Sequence, residues 1–164
     1  MNLSHNQVTI YIDGSCHGNP WAWWCAYVAV CDTYCMIGWG SLWFATNNQM
    51  ELLGLICALR DISHSCTIIT DSRYILTGIQ NFDTRKKAGM KTKSKSPVKN
   101  AGLWILIHQL IDQHITSWYR ISRQWTKWHS HDHYNIICDR YANWYASGQS
   151  CDLTDFLLFH QVVL

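Results

Sequence analysis

The polar and apolar pattern near the start of the chain predicts three β-strands. Residues 8–13, VTIYID, alternate aliphatic side chains with Thr, Tyr and Asp, which is the period of a strand with one buried face. Asp13 ends this run. Two further segments, about residues 23–31 and 34–44, are rich in aromatic and β-branched residues and are joined at CDTYC. The pattern therefore predicts an antiparallel three-stranded meander.

The hydrophobic period changes after the third predicted strand. Thr46 and Gln49 have the spacing of a capping box, and apolar residues then fall on most faces of a helix of about 15 residues. Residues 66–71 form a short apolar run that ends in Asp71, and residues 72–82 follow with a helical pattern. We therefore expect a buried helix, then a strand and a second helix.

The last part of the chain continues this alternation. Residues 100–114 predict a helix, residues 115–125 a strand and residues 135–146 a final helix. The order βββαβααβα predicts an α/β fold, with a mixed five-stranded sheet flanked by helices. We expect one domain over residues 1–146 and a C-terminal tail of uncertain structure over residues 147–164.

The composition fits a single soluble domain. The chain has 164 residues, 48% hydrophobic and 15% charged, and no apolar run reaches the ~18–20 residues of a membrane span. Its first residues, MNLSHNQ, lack the features of a secretion signal, so we expect a cytoplasmic protein without a membrane partner. Its eight cysteines form no C-x-x-C pair, so most are expected to be small buried hydrophobic residues.

The basic residues are concentrated in one segment. Residues 84–100, TRKKAGMKTKSKSPVKN, contain seven of the thirteen basic residues and no acid, which leaves the rest of the chain at −5. Such a block can be a solvated surface. On an acidic body it points rather to a polyanion, because each lysine near a phosphate releases a condensed counterion. The cations of this basic segment are Arg85, Lys86, Lys87, Lys91, Lys93, Lys95 and Lys99.

Four carboxylates occupy positions from which they can converge. Asp13 and Asp71 end strands, Glu51 lies in the first long helix and Asp139 lies in the last helix. Groups at strand ends and on adjoining helices can share one crevice of an open α/β sheet. Clustered carboxylates repel one another unless a divalent cation neutralises them, and oxygen ligands favour magnesium or manganese. Taken singly, each acid could also be a helix cap or a surface charge.

Several separated motifs occur over about residues 8 to 146, namely IYIDGSCHGNP, TNNQMEL, TDSRY, SPVKN before LW, and a loop histidine before CDRYAN. Together they resemble type-1 ribonuclease H, in its bacterial form with a basic protrusion. The resemblance implies that family's fold and hydrolysis of the RNA strand of RNA–DNA hybrids, leaving 5′-phosphate and 3′-hydroxyl ends. It also implies two Mg²⁺ ions, with Mn²⁺ as a substitute, and we expect a monomer. The residues it assigns to metal binding and catalysis are Asp13, Glu51, Asp71 and Asp139, with His129 as a further catalytic residue.

Substrate contacts follow from the same resemblance. It assigns recognition of the ribose 2′-hydroxyl to Cys16, Asn19 and Asn48, of which Asn48 could instead cap a helix. It assigns the DNA strand's phosphates to the basic segment, with Arg85, Lys86, Lys87 and Lys91 as the expected contacts. A zinc site formed by loop histidines is an alternative, although its spacing fits no common pattern. Its ligands would be His129, His131, His133 and Cys138.

The chain departs from the family where glycines are expected. Residues 21–24, WAWW, replace a glycine-rich stretch, and Trp128 and His131 replace glycines beside His129. Overpacking of this kind typically costs ~1–3 kcal/mol, so we expect Trp24 to strain the sheet rather than stack on a base. The departures leave two hypotheses for function: an active ribonuclease H, or a non-catalytic module that binds RNA–DNA hybrids.

Overall fold

The computed structural model describes residues 7–15, 23–32, 34–42, 45–117, 119–125 and 132–146. Its strands and helices follow the predicted order, with one additional short helix. The strands are β1 (Val8–Ser15), β2 (Trp23–Cys31), β3 (Tyr34–Leu42), β4 (Cys66–Thr70) and β5 (Ile121–Trp125). The helices are α1 (Asn47–Asp61), α2 (Arg73–Gln80), α3 (Phe82–Lys87), α4 (Ala101–Thr116) and α5 (His133–Ala146).

Within these residues the strands form one mixed sheet in the order β3–β2–β1–β4–β5. The first three strands are antiparallel, as the meander predicted, and Asp13 lies opposite Ala26. Strand β4 runs parallel to β1, and β5 runs parallel to β4. The parallel pairing brings the carboxyl ends of β1 and β4 to the same edge of the sheet, where Asp13 and Asp71 lie.

The two faces of the sheet bury different helices because side chains alternate along each strand. Ile10 and Ile12 point to the face covered by α1 and α4, where Leu55 and Trp104 are completely buried. The opposite face packs Tyr11, Ala26 and Val28 against α5. The final helix is therefore the only described cover of the second face, and it carries Asp139.

Helix α1 begins as the sequence predicts. Thr46 accepts from the backbone N–H of Gln49, and the Gln49 side chain accepts from the backbone N–H of Thr46, which completes a capping box. Most residues of the helix from Met50 to Leu59 are buried, so the helix forms part of the core rather than an amphipathic surface element. This packing fixes the position of Glu51 relative to the sheet.

Several predicted elements have different limits in the structure, and β1 continues past Asp13 to Ser15 instead of ending there. The helix predicted over residues 72–82 ends at Gln80, because the Asn81 side chain donates to the carbonyl oxygen of Thr77 at 3.0 Å and a new helix starts at Phe82. The strand predicted over residues 115–125 is only Ile121–Trp125, because α4 continues to Thr116. The predicted end of α2 was therefore wrong because a local polar side chain decides it, and the predicted end of α4 was short of Thr116.

The basic segment is anchored to the domain by the hydroxyl group of Tyr74. Asn100 and Trp104 donate to this oxygen at 3.1 and 3.2 Å, and the hydroxyl donates to the carbonyl oxygen of Lys99 at 3.2 Å. At the other end of the segment, Phe82 is 3% exposed and joins the main core. None of the helices in the described ranges is both long and apolar enough to cross a membrane.

Candidate active site

Asp13 lies where β1 passes closest to the start of α1. A Cβ atom at the next residue, Gly14, would lie 2.9 Å from the backbone nitrogen of Glu51 and 3.0 Å from the Cβ of Met50. Real Cβ atoms do not tolerate such contacts, so only glycine lets the strand and the helix approach this closely. The glycine thus brings the backbone of Asp13 next to that of Glu51.

The carboxyl group of Asp13 hydrogen-bonds to that of Asp139 on α5. Burial and the negative charges of Asp139 and Asp71 together raise the pKa of Asp13 to about 8, although the backbone N–H of Gly14 donates to it at 2.7 Å. A hydrogen bond between two carboxyl groups requires one proton between them. Without a cation, the pair therefore retains a proton at neutral pH.

Glu51 is held through both of its carboxylate oxygens. The Ser72 hydroxyl donates to Oε2, and Asn47 Nδ2 donates to Oε1 at 3.2 Å. Burial and the nearby charge of Asp71 raise the pKa of Glu51, while the hydrogen bond from Ser72 lowers it. Since Ser72 is also the N-cap of α2, the residue that starts this helix orients the only glutamate in the chain.

Asp71 is close enough to influence both Asp13 and Glu51. It directly follows β4, and its charge contributes to the raised pKa of both Asp13 and Glu51. The turn that carries it is fixed by a hydrogen bond of 3.0 Å from the backbone N–H of Ser72 to Thr70 Oγ1. Electrostatic interactions therefore connect all four predicted carboxylates in the order Asp139, Asp13, Asp71 and Glu51.

The sequence did not reveal the residues that orient the carboxylates. Asn143 Nδ2 donates to Asp139 Oδ1 at 2.8 Å, and its Oδ1 accepts from the hydroxyl group of Ser15. The spacing of four between Asp139 and Asn143 is a signal for contact on a helix surface. Asn47 and Glu51 are also four residues apart on one helix, so their contact could be predicted in the same way. The contact of Ser72 with Glu51 could not, because it depends on how α1 and α2 pack together.

The carboxylates do not form a ready ligand set. Among the residues that the structure describes, no group of three or more His, Cys, Asp or Glu side chains is placed to hold a metal ion. The oxygens of Asp13 and Asp139 contact each other, and those of Glu51 contact Ser72 and Asn47. Convergence of all four on one metal site therefore stays a prediction.

The other predicted site residues have mixed outcomes. Cys16, Asn19 and His129 lie outside the described residues, as do Trp128 and His131. Asn48 is exposed in the first turn of α1, next to the residue that holds Glu51. The two described members of the zinc alternative do not support it, because His133 is exposed while Cys138 is fully buried and donates to the carbonyl oxygen of Ala26 at 3.2 Å.

The basic segment forms a separate surface. Lys86, Lys87 and Lys91 are exposed, and Arg85 is half-buried. Arg85 and Lys91 line a groove of about 480 Å³, which Lys99 and Tyr74 also border. None of the described residues that line this groove is acidic, so a bound anion would meet cations and neutral groups among them.

The fold is shared with nucleic-acid enzymes of known structure. LC9-RNase H1, described as a type 1 RNase H with the type 2 active-site motif, superposes with a TM-score of 0.76 at 24% identity, covering 92% of this chain and 76% of that chain. A foamy viral protease–reverse transcriptase in complex with dsDNA gives a TM-score of 0.73 at 18% identity, covering 88% and 96%. The protein is thus an α/β protein with a ribonuclease H fold.

Sequence similarity then identifies the family. The family model described as RNase H matches residues 5–147. Ribonuclease HI of Pseudomonas aeruginosa is 40% identical over 141 residues, covering 84% of this chain and 91% of that protein. Ribonuclease H of Pseudomonas fluorescens is 36% identical over 146 residues, covering 87% and 92%. The chain belongs to the ribonuclease H family, as its motifs predicted.

Proposed function

We propose that this protein is a ribonuclease H that hydrolyses the RNA strand of RNA–DNA hybrids. The observation that carries the proposal is the contact between Asp13 and Asp139 beside the charges of Asp71 and Glu51, at the edge of the sheet where β1 and β4 both end. Because the chain belongs to the ribonuclease H family, we assign hydrolysis of the RNA strand to this group of carboxylates. A module that only binds the hybrid would gain nothing from the repulsion that Asp139 and Asp71 exert on Asp13.

The residues fit a divalent cation of the hard class. All four side chains offer oxygen ligands, and neighbouring negative charges raise the pKa of Asp13, so a cation would relieve a repulsion that is already present. We propose that Asp13, Glu51, Asp71 and Asp139 hold two Mg²⁺ ions, with Mn²⁺ as a substitute. A pair of such ions supplies charge neutralisation to a phosphate and lowers the pKa of water.

Neighbouring side chains hold two of the carboxylates in fixed orientations for metal binding. Asn143 and Ser15 fix the orientation of Asp139, and Ser72 and Asn47 fix that of Glu51. Ligands whose rotamers are already held lose less entropy on binding than mobile ones. By its family position, His129 would take up or release a proton during the reaction.

Recognition of the hybrid is proposed for two surfaces. Cys16, Asn19 and the exposed Asn48 would contact the RNA strand near its 2′-hydroxyl groups. The exposed cations of the basic segment would hold the phosphates of the DNA strand without reading its sequence. Both surfaces belong to the proposed domain over residues 1–146.

A cleavage assay with a matched variant tests the proposal. A hybrid with 5′-labelled RNA is incubated with the protein and Mg²⁺, with Mn²⁺, or with EDTA, beside RNA duplex and DNA duplex. The Asp13→Asn variant should lose at least about 100-fold in rate, because it removes one proposed ligand. Asp112→Asn, which changes an exposed aspartate on α4, is the control and should keep full activity.

The cleavage products and the binding of the hybrid distinguish an active ribonuclease H from a non-catalytic binding module. Fragments of the RNA strand that end in 3′-hydroxyl groups and begin with 5′-phosphates support the proposal. Cleavage that persists in EDTA contradicts the metal assignment. Tight binding of the hybrid with no cleavage under any metal supports the non-catalytic module instead.

A further inference from the structure

Two thiols outside the carboxylate site meet under the edge of the sheet. Cys25 on β2 is completely buried, and Cys57 on α1 is 5% exposed. A Cβ atom at Gly40 on β3 would lie 3.1 Å from Cys57 Sγ and 3.3 Å from Cys25 Sγ, so both sulfur atoms border the same point. The two thiols also hydrogen-bond to each other.

Glycine at position 40 is what leaves room for this pair. Gly40 lies directly opposite Cys25 in the sheet, and its carbonyl oxygen is 3.4 Å from Cys25 Sγ. A larger residue would put its side chain against both sulfur atoms. Because β3 is the edge strand of the described sheet and Gly40 is half-buried, the thiols lie near this edge, beside the backbone of Gly40 and the side chain of Leu53.

The pair is chemically asymmetric. The hydrogen bond from Cys25, assisted by the charge of Arg60, lowers the pKa of Cys57 to about 7, against the effects of burial and Asp61. The same hydrogen bond and burial raise the pKa of Cys25 well above its ordinary value. Since the thiolate is the nucleophile, Cys57 is the thiol that reacts first, and Cys25 is the neighbour that can attack the product.

The other buried thiols differ from this pair. Burial raises the pKa of Cys66 to about 11, and burial likewise raises the pKa of Cys138. Cys138 donates to the carbonyl oxygens of Ala26 and Tyr11 at 3.2 and 3.7 Å. These two behave as inert core residues, so they provide internal controls within the same protein.

We propose that Cys25 and Cys57 are a modification site at which a small-molecule disulfide, such as oxidised glutathione, converts the two thiols into a reversible disulfide that joins β2 to α1. The Cys57 thiolate attacks one sulfur of the reagent, the reagent's S–S bond breaks and one thiolate leaves. Cys25 then loses its proton, attacks Cys57 Sγ and expels the second thiolate. The protein loses two electrons and two protons, and the reagent is reduced to two thiols.

Peptide mapping of the folded full chain tests the site directly. The protein is treated with a graded ratio of oxidised to reduced glutathione, free thiols are alkylated after unfolding, and peptides are identified by mass spectrometry. We expect a cross-linked peptide containing Cys25 and Cys57, lighter by two hydrogen atoms than the separate peptides, while Cys66 and Cys138 stay free. Dithiothreitol should restore both thiols.

Two serine variants separate the roles of the thiols. Cys25→Ser should accumulate a stable glutathione adduct on Cys57, because the resolving thiol is gone, whereas Cys57→Ser should leave Cys25 unmodified. The oxidised wild-type protein should melt about 5 °C or more above the reduced protein, because the cross-link restricts the unfolded chain. Alkylated Cys25 and Cys57 under conditions that oxidise other cysteines of the chain would overturn the proposal.

Discussion

Asn143 and Asp139 form a hydrogen-bonded pair one turn apart on α5, with 2.8 Å between Asn143 Nδ2 and Asp139 Oδ1. The opposite end of the same amide accepts from the hydroxyl group of Ser15 on β1. One asparagine thus ties the helix carboxylate to the strand that carries Asp13. This relationship makes Asn143 a positioning residue for the proposed metal ligands.

Replacing Asn143 by alanine should weaken metal use without unfolding the protein. The Asp139 carboxylate would lose its donor, and we expect the Mg²⁺ concentration for half-maximal cleavage to rise about 10- to 100-fold. The measurement is a Mg²⁺ titration of hybrid cleavage. Gln113→Ala, which removes an exposed amide on α4, is the control, and equal titrations for the two variants would contradict the assignment.

Replacing Asp13 by asparagine should stabilise the metal-free protein at high pH. The pKa of Asp13 is raised from 3.8 to about 8, so the folded state holds a proton that the unfolded state releases. Protonated Asp13 therefore contributes to the free energy of unfolding. This contribution is fully present below pH 3.8 and is lost as the pH rises through about 8. In EDTA, Asp13→Asn should therefore melt a few degrees above the wild type at pH 8.5 but not at pH 4.

Adding Mg²⁺ supplies the second part of this test. The ion should raise the melting temperature of the wild type at pH 7.5, because it binds the folded state only. The rise should be smaller for Asp13→Asn. If Mg²⁺ at concentrations up to about 10 mM does not change the melting temperature of the wild type, a metal site at these residues is contradicted.

Removing three lysines of the basic segment should weaken binding but not chemistry. The variant Lys86→Ala, Lys87→Ala and Lys91→Ala should bind the hybrid less tightly, and its dependence on salt should fall by about one unit of slope per lost phosphate contact. Cleavage at saturating hybrid should change less than about twofold. Arg60→Ala, at the end of α1 and paired with Asp61, is the control for loss of a cation outside the basic segment. Collapse of saturated turnover would show that the segment takes part in chemistry.

His108 should make the fold sensitive to moderate acid. Burial lowers its pKa from 6.5 to about 4, its Nε2 is buried with no hydrogen-bond partner in the described part of the chain, and its ring stacks on Phe82. Between these two pH values, His108 takes up a proton in the unfolded chain but not in the folded one. The contribution of neutral His108 to the free energy of unfolding is therefore fully present above pH 6.5 and is lost as the pH falls through about 4.

The His108→Leu variant isolates this effect. Both proteins contain the same carboxylates, so the difference between their melting temperatures at pH 7 and pH 4.5 reports the histidine alone. We expect the wild type to lose roughly 2–5 °C more than the variant over this interval. Parallel melting curves at the two pH values would show that His108 accepts a proton in the folded protein.

Trp24 should contribute packing rather than strain. Its ring lies 5.1 Å from that of Trp39 at an angle of 51°, which is an ordinary geometry for an aromatic pair on adjacent strands. This contact favours packing, while the expectation that Trp24 strains the sheet stays a prediction for the stability measurement to decide. Trp24→Gly should lower the melting temperature by a few degrees and leave hybrid affinity unchanged.

Two measurements distinguish the alternatives for Trp24. A higher melting temperature in Trp24→Gly would restore the strain hypothesis. A tenfold loss of hybrid affinity, about 1.4 kcal/mol, in a folded variant would show that the ring contacts nucleic acid. Trp39→Gly, which removes the other ring of the pair, should match the stability effect.

Local patterns of the sequence predicted most of the fold. The alternation in β1, the capping box of Thr46 and Gln49, and the position of Asp71 directly after β4 all depend on residues close together in the chain. The motifs predicted the ribonuclease H family, which the comparisons confirm. The end of α2 was missed because a single polar side chain, that of Asn81, decides it.

The sequence by itself determined which elements form, because hydrophobic period and helix caps act over a few residues. Only the tertiary structure decided that Ser72 holds Glu51, that Asn143 links Asp139 to Ser15, and that Cys25 meets Cys57 beside Gly40. These contacts join residues far apart in the chain, and their energies depend on distance and burial. A pKa such as that of Asp13 is set by the charges that the folded chain brings together.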